Sequence, residues 1–197
     1  MKKSRVYILT LILFAVAVVF IILKYHKNER DRSSIDYELK ERSGSSAMAR
    51  EWAISRNNAT ALKQQIKKNP ENLKSTIALA ALFIQEARVT GDHAYYDLAA
   101  MKYIGEALKK DSNNFEALTL KSLVQLSQHH FADGLITAQH AQKINPYNAF
   151  VYGIMVDGNV EMGNYTMAVE NSDKMISIRP DIRSYSRIAY LREIHGD

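Results

Sequence analysis

Cysteine is absent from the 197-residue chain, proline occurs three times and glycine eight times. Without cysteine there is no disulfide scaffold, no thiol nucleophile and no zinc site built on thiolates. So few helix breakers, with 47% apolar residues, read as a globular and not a disordered chain. The length suits one ordinary domain plus an appendage. Reactive motifs are missing too: no phosphate loop, no nucleophile elbow and no H-E-x-x-H. No enzymatic activity, metal or cofactor is expected. His129, His130 and His140 form a cluster, but their spacing across a turn and the next helix reads as a solvated turn, not as convergent ligands. Met155, Met162, Met167 and Met175 recur at helical spacing, as core methionines do. Asp92, Asp97 and Asp111 lie in or near loops without the spacing of paired carboxylates.

The sequence pI near 9.3 raises the question of nucleic acid. The charge distribution answers it. Residues 1–42 carry 9 Lys/Arg against 5 Asp/Glu, whereas residues 43–197 carry 17 against 16. The basic excess belongs to the N-terminal end, no clustered basic face is visible beyond it, and nucleic acid is not an expected partner.

Residues 6–23, "VYILTLILFAVAVVFIIL", hold no charge. As a helix the run spans about 27 Å, close to the hydrocarbon thickness of a bilayer. It outlasts the 7–15 apolar residues of a cleaved signal peptide and ends in "KYHKNER", which offers no cleavage site. An integral single-pass anchor is therefore expected. Basic residues flank it almost evenly: Lys2, Lys3 and Arg5 before, Lys24, Lys27, Arg30 and Arg32 after. The basic head, residues 1–5, resembles that of a signal anchor, which favours repeats outside the cytoplasm. Residues 24–46 are charged, end in "SGSS" and read as a tether that spaces.

The remainder is periodic. Pro146 and Pro180 lie 34 residues apart, and "LSQHHFADG" aligns with "VEMGNYTMA" at the same shift. Asn114 aligns with Asn148, each just before a new helix. Gly163 can end a helix in the left-handed conformation, Ala168 and Gly134 let two helices approach, and Tyr165 and Phe131 fill the space beside the turn. Each unit is thus a helix, a tight turn, a second helix and a proline-marked loop. One unit earlier, the interval between Pro70 and Ser112 is 42 residues, about eight more, around "ARVTGDHAYY". The expected organisation is an opening degenerate helical hairpin at 47–69, a unit with an insertion at 70–112, units at 113–146 and 147–180, and one helix of an incomplete unit at 181–197. Trp52 caps the end of the core.

This pattern resembles the tetratricopeptide repeat (TPR) family over residues 70–197, through Tyr152, Gly163, Tyr165, Ala168 and Pro180 with Leu118, Phe131, Ala138, Ala141 and Pro146. The run from "TGDHAYY" to "IHGD" looks like a bacterial subset. Asn159, Val156 and Gly134 depart from the family pattern. The resemblance implies an all-α fold, an αα-hairpin solenoid, and a concave groove lined by first helices that binds protein partners or peptide segments. Carried onto this chain, the groove candidates are Lys74, Ile77, Glu116, Thr119, Phe150, Gly153, Asp157, Ser184 and Arg187. The carboxylate-clamp slots of chaperone-binding members hold Thr119, Leu123, Gly153 and Asp157, so recognition of chaperone tails is not expected. Phe150 beside Gly153 could accept an apolar side chain.

The function expected is a membrane-anchored scaffold for protein–protein interaction. Two alternatives follow from the chain stopping at Asp197 after one helix of a unit: an N-terminal piece of a larger protein with a catalytic domain downstream, or self-association through a terminal helix whose Ile188, Leu191 and Ile194 lack a partner.

Overall fold

The computed structural model describes the backbone of residues 2–44 and 50–196, and the side chains apart from those at 1–6, 9, 26, 28–34, 45–49, 195 and 197. The described residues are all-α. They divide into two compact units, 1–38 and 39–197.

The first unit is dominated by α1, Lys2–Ser34, a continuous helix about 50 Å long at 1.5 Å per residue. The part of the tether at 24–34 is therefore helical, continuing α1. Among the described residues no helix is long and apolar enough to cross a membrane. The side chains at Val6 and Leu9, within the expected anchor, lie outside the described ones, and the described side chains run unbroken only from Thr10 to Tyr25.

In the second unit α2, Arg50–Lys68, precedes three helical hairpins: α3, Leu73–Thr90, with α4, His93–Lys110; α5, Phe115–Ser127, with α6, Phe131–Ile144; and α7, Ala149–Glu161, with α8, Tyr165–Ile178. A last helix, α9, Ile182–His195, packs on α8 and α7. Where an opening hairpin was expected, α2 is one helix, because neither glycine nor proline interrupts residues 50–68. Residues 47–49 of that stretch lie outside the described ones. Trp52, Ser55 and Ala59 form its buried stripe.

The first helix of each hairpin, and α9, is capped by a short polar side chain. Asn72 Oδ1 accepts from Ser75 N–H at 3.1 Å and Asn114 Oδ1 from Ala117 N–H at 3.0 Å. Asn148 serves Phe150 and Val151, and Asp181 serves Arg183 and Ser184. Gly163 ends α7 at φ 71°, and His129, 34 residues earlier, takes φ 60° at the equivalent turn. The longer third-and-fourth-helix hairpin needs no inserted loop: α3 and α4 have 18 residues each against 13 and 14 in α5 and α6, while the turn is one residue shorter.

The core runs along the solenoid. Phe83 stacks on Tyr103 at 5.7 Å and meets Tyr96 at 6.1 Å within α3–α4. Ile77, Ala107 and Ala117 join that hairpin to α5, and Leu118, Leu135, Ala138, Val151 and Ile154 join α5 and α6 to α7. Each fully buried large side chain contributes about 1.5–3 kcal/mol. A Cβ on Gly134 would lie 2.1 Å from Leu126 Cδ1, and the Ser122 hydroxyl donates to the Gly134 carbonyl at 2.8 Å. Asn159, atypical for its position, is buried but donates to Met155 O at 2.8 Å on its own helix. Leu191, expected to lack a partner, is buried against Val156 and Ala168.

Candidate interaction clefts

The first helices of the three hairpins share a cleft of about 260 Å³. Ile84 and Arg88 come from α3, Leu123 and Leu126 from α5, and Asp157 and Glu161 from α7. His93 and Asp97 of α4 and Phe131 of α6 complete it from the turn side. The floor is apolar, and the rim carries charge of both signs. Among the described residues no ion pair engages Arg88 or Glu161. Asp157 differs: Arg187 of α9 reaches it with Nε at 2.8 Å and Nη2 at 2.7 Å, a two-pronged pair between α7 and α9.

Within this cleft Ser127, His93 and Asp97 meet. Ser127 donates to Asp97 Oδ2 at 2.7 Å and lies 3.0 Å from His93 Nδ1, which is 3.4 Å from the same carboxylate. A nucleophilic triad sets serine and acid on opposite ring nitrogens. Here both are on Nδ1 and the serine proton goes to the acid, so the cluster is a polar tie between α4 and α5. Among the described residues no group of three or more metal-ligating side chains is placed to hold an ion.

The nine groove candidates separate into distinct roles. Lys74 and Glu116 are exposed at the starts of α3 and α5. Ile77 is core, and Thr119 is buried with its hydroxyl on Phe115 O at 2.8 Å. Gly153 is buried: a Cβ there would lie 3.3 Å from both Arg187 Cζ and Met175 Cε. Ser184 is buried as the second half of the α9 capping box. Only Asp157 lines the cleft across the hairpins; Arg187 reaches it by pairing with Asp157. Phe150 lines a second cleft, also of about 260 Å³, between the α6–α7 and α8–α9 loops. Two of the cleft residues that sequence reasoning missed, Ser127 and Glu161, are themselves 34 apart, so stepping the repeat one turn further along the first helices would have found them.

The stretch read as a spacer also ends in contacts. Lys40 N–H donates to the Tyr96 hydroxyl at 3.0 Å, and Lys40 Nζ meets Asp92 at 2.7 Å above the Tyr95 ring. That hydrogen bond holds the Asp92 carboxyl below its ordinary range, while burial raises the Tyr96 hydroxyl above its own. Arg42 gives Nε at 2.9 Å and Nη2 at 2.6 Å to the two oxygens of Glu86, both side chains being at most 1% exposed. The Glu86 hydrogen bonds raise the Arg42 guanidinium against the opposing effect of desolvation. Its Cζ lies 5.1 Å from the centre of the Trp52 ring. Residues 39–42 are thus a strap on the α2–α4 end of the solenoid.

No family model and no curated protein matches the chain. Solved structures do. A crystal structure of MamA aligns over 79% of this chain and 86% of its own, with 20% identity and a TM-score of 0.60. TTC0263, a thermophilic TPR protein of Thermus thermophilus, covers 72% of this chain and 74% of its own, at 14% identity and TM-score 0.63. A tetratricopeptide repeat protein of Parabacteroides merdae covers 74% and 56%, at 17% identity and TM-score 0.57. With its 34-residue hairpin units, its left-handed turn residues and these likenesses, the chain has the tetratricopeptide-repeat fold.

Proposed function

We propose that the protein is a membrane-anchored scaffold that holds a segment of a partner protein across the first helices of its repeats. The observation that carries this is the cleft spanning α3, α5 and α7, lined by Leu123, closed on the turn side by Phe131, and with the unengaged Arg88 and Glu161 at the rim. An apolar floor with a few charged groups suits a peptide or helix, whose side chains supply area and whose charges set register. Leu123→Asp with Glu161→Lys is expected to abolish partner recovery from membranes without lowering helicity. Unchanged recovery would overturn the reading.

The anchor belongs to the same proposal. Residues 6–23 are uncharged, and Leu13, Phe14, Val16, Phe20, Ile21 and Leu23 of α1 are all exposed. A helix apolar on every side is at home in lipid or a protein core, not in water. The full chain should stay in the membrane pellet on alkaline carbonate extraction, and Leu13→Arg with Val16→Arg should release it. Release of the unaltered chain would remove the anchor from the account. Protease reaching the repeats in spheroplasts tests whether they lie outside the cytoplasm.

A second reading, self-association through α9, is favoured by the exposure of Ile182, Tyr185, Tyr190 and Ile194. Sedimentation of the detergent-solubilised chain beside Tyr190→Lys tests it: equal masses would eliminate that route.

A further inference from the structure

The cleft between the α6–α7 and α8–α9 loops differs in chemistry from the one across the first helices. Its floor is Ala149, Met175 and Ile178, and Phe150 and Tyr147 stand beside it, 37% and 80% exposed. Its charged residues are Arg179, Arg183 and Asp181. The acid is already spent. Asp181 Oδ1 accepts the Arg183 and Ser184 backbone N–H groups, and Oδ2 takes Arg179 Nε at 3.0 Å. Among the described residues nothing pairs with the Arg183 guanidinium. Neither α7 nor α9 has an acidic residue in its first turn. The cleft therefore offers an apolar slot, two exposed aromatic rings and uncompensated positive charge.

The geometry points to a second docking site here, for a protein segment that carries a carboxylate next to an aromatic or aliphatic side chain. The apolar side chain enters over Met175 and Ile178, flanked by Phe150. The carboxylate meets Arg183 and the outer N–H groups of Arg179, in the planar geometry that guanidinium groups share with carboxylates. Tyrosine and arginine around a small apolar pocket are the residue types that dominate protein-interface energies. Nucleic acid fits less well, since two arginines without a basic stripe cannot track a phosphate backbone. The inference rests on the reading of the protein as a binder of protein segments, but it uses a separate surface.

The test uses the full chain in detergent micelles and fluorescence anisotropy with three labelled hexapeptides: EDFLED, the charge-reversed KKFLKK, and EDGSED, which lacks the apolar pair. EDFLED should bind about tenfold or more tightly than either of the others. Arg183→Glu should weaken it by about tenfold and Phe150→Ala by about fivefold, both with unchanged circular dichroism, because both side chains are exposed. Lys109→Glu, exposed at the end of α4 and lining neither cleft, should leave its affinity unchanged. Equal binding of KKFLKK, or no effect of Arg183→Glu, would overturn the inference. So would competition by a 12-nucleotide oligo(dT) at equal potency. If the loss appears instead in Arg88→Glu, at the rim of the cleft across the first helices, this site falls while the wider reading of a protein binder stands.

Discussion

Removing Arg42 should unbalance the N-terminal end of the solenoid more than removing any surface charge. The pair with Glu86 is two-pronged, at 2.9 and 2.6 Å, and both side chains are shielded from water. Its partners differ in freedom. Glu86 sits within α3 and cannot leave. Arg42 sits in a strap outside any helix and can. Arg42→Ala therefore strands a buried carboxylate, for which breaking a buried pair costs roughly 3–5 kcal/mol; an edge strap admits some water, so about 3 kcal/mol is expected. Glu86→Gln lets the strap lift off and should cost about 1–2 kcal/mol. Arg42→Met with Glu86→Leu removes both charges and should return to within about 1 kcal/mol of the parent. The assay is equilibrium urea unfolding of the full chain read by Trp52, the single tryptophan, whose ring lies beside Arg42. With a slope of about 1–2 kcal/mol per molar, Arg42→Ala should shift the midpoint by roughly 2 M. A shift below about 0.3 M, or a double variant as weak as Arg42→Ala, would refute the reasoning.

Gly163→Ala, at φ 71°, should lose about 1–2 kcal/mol, whereas His129→Gly at φ 60° should stay within about 0.5 kcal/mol, relief of strain offsetting the lost edge contact with Phe131; thermal melts decide. A double-mutant cycle on Asp157 and Arg187, both partly exposed, should give a coupling of about 0.5–1 kcal/mol; no coupling would mean that α9 is held by packing alone. Tyr96→Phe tests an alkaline linkage. Burial raises the folded pKa of this phenol above 10, so its contribution is complete below pH 10 and is lost as pH rises through the folded value. The variant should lose about 1 kcal/mol at pH 7 with the hydrogen bond to Lys40, and its stability should fall less steeply above pH 10; parallel curves would contradict this. At the acid end the sign reverses. The Asp92 carboxyl, lowered by Lys40, supports the fold above pH 3.8 and loses that support as pH falls through its lower folded value, so Lys40→Ala should flatten the acid limb of the unfolding curve.

The repeat was legible because its signals are local. Proline at 146 and 180, asparagine at 114 and 148 and glycine at 163 each act on their own turn of chain, and the helices begin and end around them. The side-chain roles were less so. Thr119, Gly153 and Ser184 occupy groove slots by register, yet Thr119 turns back to Phe115 O, Gly153 lies under Arg187 and Ser184 closes a capping box. Register assigns a face and cannot assign what a neighbouring hairpin lays over it. The strap was hidden for a similar reason. Lys40 and Arg42 read as tether residues because Tyr96 and Glu86, which hold them, lie 56 and 44 positions away. The histidine at 129 read as a solvated turn residue; nothing in its type announces that it stands in for a glycine.

The most direct test is photo-crosslinking in native membranes from benzoylphenylalanine placed at Leu123, with Gln139 on the exposed side of α6 as the control. A protein segment held across the first helices predicts a discrete adduct from position 123 and none from position 139. An adduct from 139 alone, or none from 123 while the protein stays folded and in the membrane, would contradict the account.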